Sequence, residues 1–169
     1  MKIYSSVEEL RSHCSFKNES LVATSGGFDP MHVGHLRCLQ ETAKIAKKMR
    51  CDNDFNFVRT TKVVAIVNAD GFLLRKKGYA FMPLNERLEI IAGVEGVDYV
   101  VPWDDDSQTV VGALSILQPI AFTKGGDRDA AANVPEFDLC EKIGCEVIFN
   151  VGGGKIQSSS SLVGAIKDK

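Results

Sequence analysis

Short apolar runs alternate with amphipathic stretches along most of this chain. Leu21 to Ser25 opens the series, and Val63-Val64-Ala65-Ile66-Val67 is unbroken by any polar residue. Such a run suits a strand buried on both faces of a parallel sheet. Val97 to Pro102, Ile120 to Thr123 and Glu146 to Val151 read as three more strands. Between the first two, Val33, Leu36, Leu39, Ala43 and Ala46 form one stripe at helical spacing. Arg37, Glu41, Lys44 and Lys48 face away from it, which predicts a helix to about Met49. Further helices are expected over Asn85–Ile91, through Val110, Leu114 and Leu117, over Pro135–Ile143, and after the serines at 158–161. Ser6-Val7-Glu8-Glu9 has the form of a capping box opening a short helix.

Five strands alternating with helices predict the α/β class: a single doubly wound, Rossmann-like, five-stranded parallel sheet with helices on both faces. The 169 residues suffice for one such domain, with residues 1–19 as an N-terminal helical extension and 20–169 as the core. The polar stretch from Cys51 to Thr61 reads as a surface loop. Asp104-Asp105-Asp106-Ser107 reads as the acidic N-cap of the following helix in preference to a metal cluster. Sheets of this kind bind ligands beyond the carboxyl ends of the strands, where strand order reverses. Residues 26–35, 68–77, 124–128 and 152–161 all follow strands, so topology gathers them on one edge.

Composition narrows the picture. An apolar share of 44%, a charged share of 25%, net charge −2 and pI near 5.9 describe a soluble globular protein without a basic field for nucleic acid. No apolar run reaches membrane-spanning length, and the N-terminus lacks a signal-peptide layout. Five cysteines without a C-x-x-C pair suit reduced, structural thiols and a cytoplasmic location.

Gly26-Gly27-Phe28-Asp29-Pro30-Met31-His32-Val33-Gly34-His35 carries the clearest chemistry. Two glycines let backbone amides approach an anion, and a helix N-terminus adds partial positive charge. His32 and His35 share the first helical turn and can donate to one phosphate, with Gly34 leaving room for it. The serines at 158–161 offer hydroxyls and amides at another helix start. Lys77 and Arg87 are candidates for gripping a phosphate, with Lys76 in reserve. Asp29 is a candidate for orienting an acceptor or a histidine, and Asp127 for a hydrogen bond to ribose or base.

His32-x-Gly34-His35 after Gly-x-Phe-Asp resembles the HxGH signature of the nucleotidyltransferase superfamily. Val64–Asp70, Lys77-Gly78, Pro83 and Glu86-Arg87 are similar to further family elements. Val97–Pro102 and Lys124-Gly125-Gly126-Asp127 look most like the heptose-1-phosphate adenylyltransferase branch, which is related to the glycerol-3-phosphate cytidylyltransferases. The family's usual Ser-Thr-Thr element is here Ile156-Gln157-Ser158-Ser159-Ser160-Ser161. The resemblance implies transfer of NMP from ATP or CTP to a small phosphorylated acceptor, magnesium entering with the triphosphate, and frequently a homodimer. It implies catalytic roles for His32, His35, Lys77 and Arg87. Nucleotide binding falls to Gly26, Gly27, Phe28, Gly34, Lys124, Gly125, Asp127, Ser158, Ser159 and Ser160, and acceptor binding to Asp29, Asp70 and Lys76. No protein metal ligands are assigned. Class I aminoacyl-tRNA synthetases share the histidine signature, but no Lys-Met-Ser-Lys-Ser element or anticodon-binding region is present. A nucleotide-binding sensor without turnover is the non-enzymatic alternative.

Overall fold

A computed structural model describes residues 2–14, 19–51, 60–126, 134–154 and 156–167. The elements follow in the order α1 (Val7–His13), β1 (Glu19–Gly26), α2 (Val33–Cys51), β2 (Thr60–Asn68), α3 (Asp70–Lys77), α4 (Leu84–Ala92), β3 (Tyr99–Trp103), α5 (Val111–Leu117), β4 (Ala121–Gly126), α6 (Phe137–Ile143), β5 (Glu146–Gly154) and α7 (Ser159–Lys167). The strands form one parallel sheet in the order β3-β2-β1-β4-β5. The chain therefore winds outward one way from β1 to β3, then returns to lay β4 on the other side of β1. Strand order reverses between β1 and β4.

Both faces of the sheet are covered, as the uninterrupted apolar strands require. On one face α2 and α4 bury Leu39 and Ile91 against Ala65, Val67 and Val100. On the other, α1, α5 and α6 pack Leu10, Leu114 and Cys140 against Ala23, Ile66 and Phe122. The N-terminal segment joins this second layer, and Tyr4 and Val100 share a backbone hydrogen bond of 3.0 Å. Three buried threonines tie strands and helix together beneath the reversal. Thr42 of α2 meets the Thr123 hydroxyl of β4 at 2.8 Å, and Thr24 of β1 donates to the Thr123 carbonyl at 3.2 Å.

One helix was not anticipated from the sequence, and one local expectation is corrected. The basic run Arg75-Lys76-Lys77 is the last turn of a helix, α3, where the cations complement the helix dipole. The acidic run at 104–106 does not cap α5, whose N-cap position is Val110. Asp104 pairs with Arg75, and the Asp105 carboxylate accepts from the Ser107 amide and hydroxyl. The first amides of α5 are met by Glu136 and Thr109. Of the loop expected from Cys51 to Thr61, residues 52–59 lie outside the described residues, and Thr60 and Thr61 begin β2.

Beyond Val151 the last strand passes hard against the start of α2. Gly152 has φ +88°, and a Cβ there would stand 2.6 Å from the Cys38 amide nitrogen and 2.8 Å from its Cα. Only glycine allows both the left-handed backbone and this approach. Gly152→Ala is expected to lower stability by about 2 kcal/mol or more. Gly154→Ala meets open space and should stay within about 0.5 kcal/mol of the wild type. Urea midpoints compare the two, and equal midpoints would contradict the close approach.

Candidate active site

A cavity of about 470 Å³ lies over the reversal between β1 and β4. Ser25, Gly26 and Gly27 after β1 and Lys124 to Gly126 after β4 form its floor. His32 just before α2, and His35 and Cys38 within it, line one side together with Gly152 to Gly154 and Ser158–Ser159. Gln108 to Val110 and Glu136 line the opposite side. Each of the four segments expected to converge contributes described residues to this lining, the 68–77 segment through Asn68, Phe72 and Lys76.

The two histidine rings stack, with centroids 3.8 Å apart and planes 21° off parallel. The His32 backbone N–H donates to Nδ1 of His35 at 3.4 Å, and the Gly34 N–H donates to Nδ1 of His32 at 3.2 Å. An Nδ1 that accepts carries no proton, so each neutral ring holds its proton on Nε2. Among the described residues neither Nε2 has a hydrogen-bond partner. Burial, then the charges of His32 and Lys77, pushes the His35 pKa down to about 4, and burial also lowers that of His32. Two neutral rings can share this stack, whereas two imidazolium ions would repel each other. Near pH 7 the pair therefore presents two N–H donors without a charge of its own.

Gly34 serves this geometry in a way the sequence did not suggest. A Cβ at residue 34 would stand 3.0 Å from His32 Cε1 and 3.1 Å from its Nδ1. The space taken for a phosphate is filled by the His32 ring. Phe28 supports the other histidine, its ring edge-on to His35 at 5.1 Å.

Behind the motif, Asp29 and Arg87 lock its loop to residues 81–82. The Asp29 carboxylate is fully buried and accepts from the Phe81 amide at 2.8 Å, the Met82 amide at 2.6 Å and Lys77 Nζ at 2.9 Å. Burial opposes its ionisation, but these donors outweigh burial and hold the carboxyl below its usual range. Arg87 is 1% exposed. Its Nη1 donates to the carbonyls of Gly27 at 2.7 Å and Asn68 at 2.6 Å, and its Nε to the Met82 carbonyl at 3.0 Å. Its Nη2 meets Asp70 Oδ1 at 2.5 Å.

A profile of the cytidylyltransferase-like family matches residues 23–158. The chain belongs to that family of nucleotidyltransferases. It is 30% identical over 149 residues to the Bifunctional protein HldE of Hahella chejuensis, covering 87% of this chain and 25% of that protein. To the HldE of Geobacter sulfurreducens it is 32% identical over 140 residues, covering 81% of this chain and 23% of the other. The chain thus spans about a quarter of the length of these curated relatives. The lipopolysaccharide core biosynthesis protein of Thermoplasma volcanium matches with a TM-score of 0.59 at 20% identity, covering 78% of this chain and 95% of that one. Pantothenate synthetase of Thermus thermophilus matches at 0.56 and 17% identity, covering 88% and 61%. These two structures share the fold.

Within this cytidylyltransferase-like site the expected residues divide. His32, His35, Gly26, Gly27, Phe28, Gly34, Lys76, Lys124, Gly125, Ser158 and Ser159 line the cavity. Ser158 accepts the Ser161 amide at the start of α7, and the Ser159 hydroxyl donates to the Pro30 carbonyl at 2.9 Å, fastening α7 to the motif loop. Ser160 is exposed and outside the cavity lining. Arg87 and Asp29 stand behind the cavity as struts, with their polar atoms engaged by protein. Lys77 is held against Asp29 and over the Tyr79 ring at 4.3 Å, and Asp70 faces Arg87 and the Leu84 amide. In this arrangement Arg87 is buried among protein acceptors, while Lys77, partly exposed, gives two of its three N–H donors to Asp29. Asp127 lies outside the described residues. The sequence reading missed Asn68, Cys38, residues 108–110 and Glu136. No local signal marks Glu136, which in sequence is only an acid at a helix start.

Arg87→Met would orphan three carbonyls and is expected to cost on the order of 3 kcal/mol of stability, read from urea unfolding. Arg87→Lys should recover little of it, because a compact ammonium cannot span acceptors placed for a guanidinium fork. Full recovery by lysine would contradict the clamp.

Proposed function

We propose that this protein is an adenylyltransferase that joins AMP from ATP to a sugar 1-phosphate, a heptose 1-phosphate in the first instance, and releases pyrophosphate. The observation that carries the reading is the pair of neutral imidazoles, whose Nε2–H donors stand together at the mouth of a glycine-floored cavity. An acceptor phosphate oxygen attacks the α-phosphorus, the bond to the bridging oxygen breaks, and pyrophosphate leaves with the electron pair. Negative charge grows on the α-phosphoryl oxygens and on the leaving oxygen, so fixed donors stabilise the transition state more than the ground state. The protein needs no nucleophile of its own, because orientation of the two substrates supplies much of the rate.

His32 and His35 are assigned to the α-phosphate and the bridging oxygen. The Gly26–Gly27 amides and the Ser158–Ser159 segment are assigned to the triphosphate, and Lys76 to the acceptor's phosphate. Magnesium belongs to the triphosphate substrate as its counter-ion. Lys77, Asp29 and Arg87 act through the shape of the motif loop. The adenylyl and heptose assignments rest on the HldE relatives and on the likeness of Val97–Pro102 and Lys124–Gly126 to the heptose-1-phosphate adenylyltransferases.

Pyrophosphate release in the presence of magnesium tests the reading, with ATP and CTP set against heptose 1-phosphate, other sugar 1-phosphates and glycerol 3-phosphate. Turnover with ATP and heptose 1-phosphate is expected, and a signal with CTP and glycerol 3-phosphate alone would replace the proposal by a cytidylyltransferase. His35→Ala should lower kcat by about 10²–10³-fold, as loss of one transition-state donor does. Its Kd for ATP should change far less. Unchanged turnover in this variant would remove the histidine from the chemistry.

A further inference from the structure

The apolar run Val63–Val67 of β2 ends in an amide. Asn68 is the last residue of that strand, is 8% exposed and lines the cavity. Its Oδ1 is buried without a hydrogen bond, and among the described residues its Nδ2 has no hydrogen-bond partner either. The main chain around it is fixed. Arg87 Nη1 donates to the Asn68 carbonyl at 2.6 Å, and the Ala69 amide donates to the Trp103 carbonyl at 2.8 Å. Buried amides are ordinarily paired, because an unmet polar end has given up water without return. A leucine would fill a similar space at this strand end without that cost.

Asn68 shares its wall with Phe72 and Lys76 of α3, both of which line the cavity. Their spacing of four puts the ring and the ammonium on one helix face, and Lys76 Nζ lies 5.5 Å from the Phe72 ring centre. The wall above β2 thus offers, in chain order, a buried amide, a buried apolar ring and an exposed cation. β2 lies on the side of β1 away from β4 and β5, so this wall is set apart from the glycine segments that end those strands. A carboxamide presents both an acceptor and donors. Two adjacent hydroxyls complement it, one donating to Oδ1 while the oxygen of the other accepts from Nδ2. A phosphate oxygen only accepts, and would leave Oδ1 unpaired. The terminal torsion of asparagine is broad, so the amide can turn its ends toward such a ligand.

We propose that Asn68 reads hydroxyl groups of the phosphorylated acceptor, its amide pairing with a vicinal diol while Lys76 holds the phosphate. This rests on reading the cavity as a nucleotidyltransferase site with the acceptor on the β2 side. The cost of the unpaired amide then becomes discrimination: a polyhydroxylated acceptor satisfies it, and an analogue lacking the hydroxyl does not.

Asn68→Leu tests this through stability and kinetics together. Its urea midpoint should equal or exceed that of the wild type, because no side-chain hydrogen bond is lost. With heptose 1-phosphate as acceptor, kcat/KM should fall about 10- to 100-fold, chiefly through the acceptor's KM. The KM for ATP should stay within about twofold. Monodeoxy sugar 1-phosphates complete the cycle: at least one should be poorer than its parent for the wild type and equal to it for the variant. Asn68→Ala, too small to clash, repeats the test should leucine not fit, and must show the same kinetic split. A loss falling on ATP or equally on both substrates, or midpoints lowered in both variants, would overturn the proposal. So would discrimination against deoxy acceptors that survives in the variants. Equal turnover of a sugar 1-phosphate by wild type and variants would sink the role of Asn68 and leave the function standing. A wild type that turns over no sugar 1-phosphate would sink the proposed function and this reading with it.

Discussion

The histidine loop has its shape because one guanidinium is buried beneath it. Arg87 joins the carbonyl of Gly27, at the start of the histidine motif, to that of Asn68, at the end of the neighbouring strand, and to that of Met82. Asp29 returns the connection by accepting the Met82 and Phe81 amides. Loops at sheet edges lack the ladder bonds that fix strands, so their polar groups need partners from elsewhere. Here a cation and an anion supply them from opposite sides. Residues 27–29 and 81–82 become one unit, and the histidines are carried on it.

The same charges shape the electrostatics of the cavity. Lys77 is drawn to Asp29 yet stays close enough to help keep His35 unprotonated. Lys124 stands 3.5 Å from Glu136. The cavity is thus rich in N–H and O–H donors, and both lysines have a carboxylate beside them. Such a site can receive a polyanion without setting a large uncompensated positive charge among its own parts. Donors that are neutral and already in place also need little rearrangement as charge develops during the reaction.

Much of this was legible in the order of residues. Unbroken apolar strands reported burial on two faces, and turn-forming segments after each strand reported one functional edge. The histidine motif announced phosphate chemistry because its residue types and spacing serve little else in that setting. The partners of the cations were not legible. Arg87 beside Glu86 in an amphipathic helix reads as a cation for a substrate phosphate, and only the fold shows its guanidinium meeting three carbonyls from distant segments. Asp29 looked like an acceptor ligand for the same reason. Gly34 was read as space for substrate, whereas the backbone turns the His32 ring into that space. Side-chain direction and long-range pairing depend on tertiary packing, which local pattern does not encode.

The central claim is that His35 works as a neutral Nε2–H donor, and long-range ¹H–¹⁵N NMR of its imidazole tests that most directly. At pH 7 the free protein should show His35 as the Nε2–H tautomer, with protonation setting in only near pH 4. Bound ATP should raise that midpoint, because a phosphate oxygen favours the charged ring. A free-protein midpoint near the ordinary value of 6.5, or an Nδ1–H tautomer, would contradict the account.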